Sequence, residues 1–211
     1  MAGIGIGPGD FAIFEIDDPD ERAREIDARL QPRLLHVGRQ LAAGLSRVVG
    51  RELVPQAGRS PRRRGTAPGE ALVTFAETER ELRGVPYLAL SVTREQLHAR
   101  IAVRGTSDRN LLMRRAMERE SGNLARRGKP FRRLRHYTGW KGEELPEIAP
   151  AGSTAFWQEV AEALSPPGGR QAGVDLGVAW PREEARSLAV GDVLGAFRDL
   201  APLYKLLVNA Q

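Results

Sequence analysis

The chain of 211 residues is long enough to bury a sizeable core and short enough to form one domain. With 41% hydrophobic and 28% charged residues it has the composition of a soluble globular protein, which excludes a disordered polymer. Its 32 basic and 27 acidic residues leave a net charge of +5, and the absence of cysteine excludes disulfides, thiolate nucleophiles and cysteine-based zinc sites.

No apolar run approaches the roughly 18 residues that span a bilayer, and the start MAGIGIGPGD lacks the basic and apolar parts of a signal peptide. The expectation is a cytoplasmic protein with no membrane partner. Its glycine-rich start is expected to have neither a strand before it nor a helix N-terminus directly after it, the two things a phosphate-binding loop needs. Residues 1–9 are therefore expected to be a flexible lead to a single domain that occupies 1–211.

In DFAIFEI, residues 10–16, apolar side chains run or alternate as in a strand or an extended lead-in. Asp18 then caps a helix that opens on Pro19, so Asp17, Asp18, Asp20 and Glu21 read as a helix start rather than a cation site. Ile26, Leu30, Leu34, Val37, Leu41, Leu45 and Val48 draw one apolar stripe along it until Gly50, with a kink or two helices in line expected at Pro32. Three strands of a meander follow, at 71–76, 85–92 and 97–103. In the last, Leu97, Ala99, Ile101 and Val103 share one face and His98, Arg100 and Ala102 the other, as in a half-buried antiparallel strand.

A helix over about 107–121, capped by Thr106 or Ser107 and stopped by Gly122, comes next. Another starts at Ser153 or Thr154 and ends at SPPGG. Residues 172–180 read as one more strand, and the chain closes with a helix bent or interrupted at Pro202. The order of elements lacks the regular alternation of a parallel sheet. The expected fold is α+β: an antiparallel sheet, a meander at about 71–103 plus a strand at about 172–180, packed with four or so helices.

The positive charge is concentrated. Residues 56–69 carry Arg59, Arg62, Arg63 and Arg64 with no acid, and residues 122–142 carry seven cations with no acid, so the rest of the chain has a net charge of −6. Basic residues are almost all arginine, with lysine only at 129, 141 and 205, a skew that genome composition or a hot habitat also produces. The second stretch, RRGKPFRRLRHYTGW, interleaves cations with Phe131, Tyr137 and Trp140, the pairing by which single-stranded nucleic-acid binders hold backbone and bases together. The anion-binding candidates are Arg59, Arg62, Arg63, Arg132, Arg133 and His136, with Tyr137 and Trp140 as aromatic contacts.

His36, His98 and His136 have no metal-site spacing, and no nucleophile elbow, P-loop or HExxH pattern is present, so neither a metal nor a cofactor is expected and no reaction is assigned. Two partners fit the charge: a nucleic acid, or a small phosphorylated molecule clamped by Arg62, Arg63, Arg132 and Arg133 with His136 as acid or base. A scaffold or homodimer is the third alternative and requires an exposed apolar patch.

DFAIFEID, the RAREIDARLQPRL helix, GRELVPQAGRSPRRRGTAPGEALVTF and PREEARSLAVGDVLGAFRDLAPLYKLL, in that order, resemble the YktB-like family of uncharacterised bacterial proteins over about residues 9–208. The resemblance implies an α+β fold and no established activity. In that family the middle piece looks like a basic, histidine-containing segment that ends in a Pro-Pro turn and an aromatic strand. Here Gln56 and Ser60 stand where the histidines are expected, while Arg62, Arg63, Pro68 and Phe75 match, which leaves an anion-holding surface and no imidazole chemistry.

Overall fold

The computed structural model describes residues 3–58, 68–78, 82–127, 131–137, 147–166 and 172–210. The chain is docked from residue 3 onward: Gly3 bridges to Ala189, the Ile4 amide donates to the Leu188 carbonyl, and Ile4 and Ile6 are buried. This corrects the flexible lead expected for residues 1–9 over the residues described. DFAIFEI is not a strand either. It forms the short helix α1 (Pro8–Phe11) and a 3₁₀ turn (Ala12–Glu15), which turn Phe11, Ile13 and Phe14 inward. Asp10 accepts from the Gly7 amide and from Arg33, pinning this turn to the next long helix.

Asp18 caps α2 (Pro19–Glu25) as expected, its carboxylate accepting from the amides of Asp20 and Glu21. The disturbance expected at Pro32 takes the form of a π turn (Ile26–Leu30) that leads into α3 (Gln31–Val49). Proline cannot donate a helical bond and its ring crowds the preceding turn; one wider turn ahead of it, closed by the Gln31 amide on the Ile26 carbonyl, accommodates both. The apolar stripe is buried throughout, with Val49 rather than Val48 as its last fully buried member, and Gly50 ends the helix with φ of 75°.

The strands are β1 (Val54–Gly58), β2 (Ala71–Ala76), β3 (Tyr87–Val92), β4 (Gln96–Arg104), β5 (Arg135–His136), β6 (Glu147–Ile148) and β7 (Gly173–Pro181). They form one antiparallel sheet in the order β1-β2-β3-β4-β7-β5-β6. The remaining helices are α4 (Arg109–Arg126), α5 (Thr154–Leu164), α6 (Arg182–Ala185) and α7 (Val190–Val208). α4 runs through Gly122 instead of ending there, and α7 runs through Pro202 without interruption.

α3 and α7 lie on the sheet and against each other, α5 packs on β7, and α4 packs on α5 and α7. Close approach is built in: a Cβ at Gly38 would stand 2.8 Å from Val73, and one at Gly44 the same distance from Leu194. On this side Val73, Phe75, Leu88, Leu90, Leu97, Ala99, Ile101, Leu176 and Val178 join the core. The four helices longer than two turns and the antiparallel sheet make the fold α+β.

The register places Leu72, Thr74, Ala89, Ser91, His98, Arg100, Ala102, Asp175 and Gly177 on the opposite face. Here the expectation for β4 is corrected. His98 and Arg100 are on the side that the alternation assigned, but they are buried, not solvated.

Candidate functional site

Four charged residues meet on this second face. Arg100, fully buried, donates from Nη2 to Glu70 Oε2 at 2.6 Å, and its Nε stands 3.5 Å from Asp175 Oδ1. Arg104 Nη2 reaches Asp175 Oδ2 at 2.6 Å and Arg104 Nη1 reaches Glu70 Oε1 at 3.8 Å. Two guanidinium groups thus alternate with two carboxylates. Burial by itself would push Arg100 toward losing its proton, but Asp175 and Glu70 outweigh that and hold it charged; Arg104 is held in the same way, chiefly by Asp175.

The register explains how a guanidinium fits there. Arg100 lies between Ala89 on β3 and Gly177 on β7, and beyond Gly177 stands Arg135 of β5. A Cβ on Gly177 would lie 2.5 Å from Arg100 Cβ and 2.4 Å from the Ala99 carbonyl oxygen, so only glycine leaves the room.

Tyr137, directly after β5, closes the cluster. Its ring centroid is 5.5 Å from Arg100 Cζ, and its hydroxyl is 3.0 Å from His98 Nδ1, while His98 Nε2 is 3.4 Å from Thr93 Oγ1. Burial pushes the Tyr137 and Tyr87 hydroxyls up, so both remain protonated. Burial, reinforced by Arg100 and Arg135, pushes His98 well below the usual histidine range and keeps it neutral at pH 7.

The residues expected from sequence divide. Arg59, Arg62, Arg63 and Trp140 lie outside the described residues. Arg132 and Arg133 are exposed between α4 and β5, and among the described residues neither has an ion-pair partner. His136 and Tyr137, adjacent in sequence, point to opposite faces of the sheet. Tyr137 enters the charged cluster and is buried rather than presented to a ligand. His136 packs edge-on against Phe156 of α5, centroids 5.7 Å apart, and burial lowers its pKa against the opposing pull of Asp175, Glu147 and Glu159.

Sequence reading missed Glu70, Arg100, Arg104 and Asp175 as a unit. The available signal was an arginine inside LHARIAVR and an acid inside AGVDLGVAW, each interrupting an apolar strand. Gln56, where the family resemblance places a histidine, lies on β1 and donates to the Thr78 carbonyl. Among the described residues no group of three histidine, aspartate or glutamate side chains could hold a metal ion, and no helix is long and apolar enough to cross a membrane.

Residues 8–204 match the family described as a domain of unknown function, DUF1054. UPF0637 protein OB1420 of Oceanobacillus iheyensis is 30% identical over 83 residues, covering 39% of this chain and 40% of that protein. UPF0637 protein SSP1683 of Staphylococcus saprophyticus is 28% identical over 90 residues, 43% of this chain and 44% of its own length. The chain thus matches less than half the length of these curated relatives, and their names carry no activity. The family match covers nearly all of the chain, which belongs to the DUF1054 family.

Proposed function

We propose that this member of the DUF1054 family binds a polyanion, specifically nucleic acid, along a surface to which both arginine-rich stretches contribute. The observation that supports the reading is the convergence on Arg100: the first stretch ends at Gly69, directly before Glu70, and the second contains Tyr137. Glu70 and Tyr137 are both in contact with that one guanidinium. Residues far apart in the chain are therefore anchored at the same place.

Among the described residues the buried cluster's two carboxylates balance the two guanidinium groups paired with them, so it does not itself attract an anion. It is a foundation. Among the described residues the exposed cations Arg132 and Arg133 have no acid paired to them, and open arginines favour a long polyanion lying on a surface over a small phosphate enclosed by it.

The test is fluorescence anisotropy of short labelled single- and double-stranded oligonucleotides from about 50 to 200 mM salt, where each phosphate contact steepens the loss of affinity. Micromolar or tighter binding that persists at the higher salt and prefers one form of nucleic acid supports the proposal. Binding that disappears with salt and shows no preference reduces it to the general attraction of a basic protein for an acidic polymer and overturns it.

A further inference from the structure

Away from the charged cluster, α4 and α7 leave a groove of about 290 Å³ between them. Its floor is apolar: Ala116, Leu124 and Ala210 are buried there, with Leu206 and Pro202 beside them. Spacings of four and three along α4 bring Ala116, Glu120, Leu124 and Arg127 to one side of that helix. Arg119, Arg127 and Lys205 stand around the rim, all exposed, and among the described residues none of the three has an ion-pair partner. Glu120 is the one acid on the lining, and its Oε2 already accepts from Asn123 Nδ2 at 2.7 Å.

An apolar floor beneath an excess of cations is complementary to a molecule with an apolar body and an anionic head. The volume lies just below the range of small-molecule pockets, about 300–1,000 Å³, and suits a short acyl chain better than a long one. We propose that this groove binds a small amphiphilic anion, a medium-chain carboxylate or an alkyl phosphate monoester. The apolar body lies against Leu206 and Pro202 above the buried Leu124, and the head is held by Arg119, Arg127 and Lys205. The site shares Arg127 with the second arginine-rich stretch, but neither Arg132 nor Arg133 lines it, so variants of those two residues separate it from the polyanion surface.

Isothermal titration of the full chain with octanoate and octyl phosphate tests this, with octanol supplying the body without the charge and inorganic phosphate the charge without the body. The expected result is saturable binding of both amphiphiles, at least tenfold tighter than either control. Arg119→Gln with Lys205→Gln, both on the surface, weakens it roughly tenfold, whereas Glu120→Gln tightens it roughly two- to fivefold. The tightening is informative in its own right, because loss of folding cannot produce it. Absence of saturable binding, octanol binding as well as octanoate, or affinities unchanged in both variants overturns the proposal.

Discussion

Glu70 and Arg100, thirty positions apart in the chain, meet at 2.6 Å with both side chains buried. A guanidinium withdrawn from water is tolerated only while carboxylates face it, so the two residues are conditions for each other. Replacing Arg100 by methionine leaves Glu70 and Asp175 with Arg104 as their shared cation and is expected to cost about 3–5 kcal/mol in urea unfolding. Glu70→Gln is expected to cost less, since Asp175 still faces Arg100. A loss below about 1 kcal/mol for Arg100→Met would show that the cluster is not under electrostatic constraint.

Gly177 makes a second, steric prediction. Its missing side chain is the space that Arg100 and the Ala99 carbonyl occupy, and backbone cannot rotate away as a flexible side chain does. Gly177→Ala is therefore expected to destabilise the protein by about 1–3 kcal/mol, read as a lower thermal midpoint. An unchanged midpoint would mean that β7 can move away from β4.

The pH dependence follows from His98. Arg100 and Arg135 face it with positive charge, and Tyr137 and Thr93 contact its two ring nitrogens. An unfolded histidine takes a proton near pH 6.5, whereas the folded one resists it until well below that value. Between those points only the unfolded chain gains the proton, so stability is full above about pH 6.5 and falls as pH drops through that range. His136, lowered by burial, adds to the loss in the same direction. Urea midpoints from about pH 8 to pH 5 should decline in the parent protein, and His98→Gln should flatten most of that slope; an equal slope in both would assign the acid sensitivity elsewhere.

Arg132 and Arg133 give the prediction closest to function. Both are exposed and neither supports the core, so Arg132→Ala with Arg133→Ala should leave the thermal midpoint unchanged. The same pair should reduce the salt slope of oligonucleotide binding by about 1–2. An unaltered affinity and slope would remove these two residues from the surface.

The sequence showed those elements whose side chains repeat with a clear period. β4 alternates and occupies the expected residues to within a position, and the stripe at spacings of three and four runs through the π turn and α3 to the expected end at Gly50. β1 was missed because VPQAG has a proline, a glycine and little strand propensity; it is a strand because β2 pairs with it. DFAIFEI misled because apolar content without strict alternation suits tight helical turns on a core as well as it suits a strand. Gly122 misled because a glycine ends a helix only where φ turns positive, and this one stays within α4. The charged cluster was illegible for a different reason: alternation tells which face Arg100 takes, but its burial depends on residues distant in sequence.

The cluster also makes a statement about descent. Among the described residues, positions 70, 100, 104 and 175 form a neutral set of four, in which changing one sign leaves the set unbalanced. Across the DUF1054 family these positions are expected to change together, so a relative lacking the acid at 70 should also lack the arginine at 100. The glycine at 177 should widen to a larger residue only in those relatives where position 100 has become small.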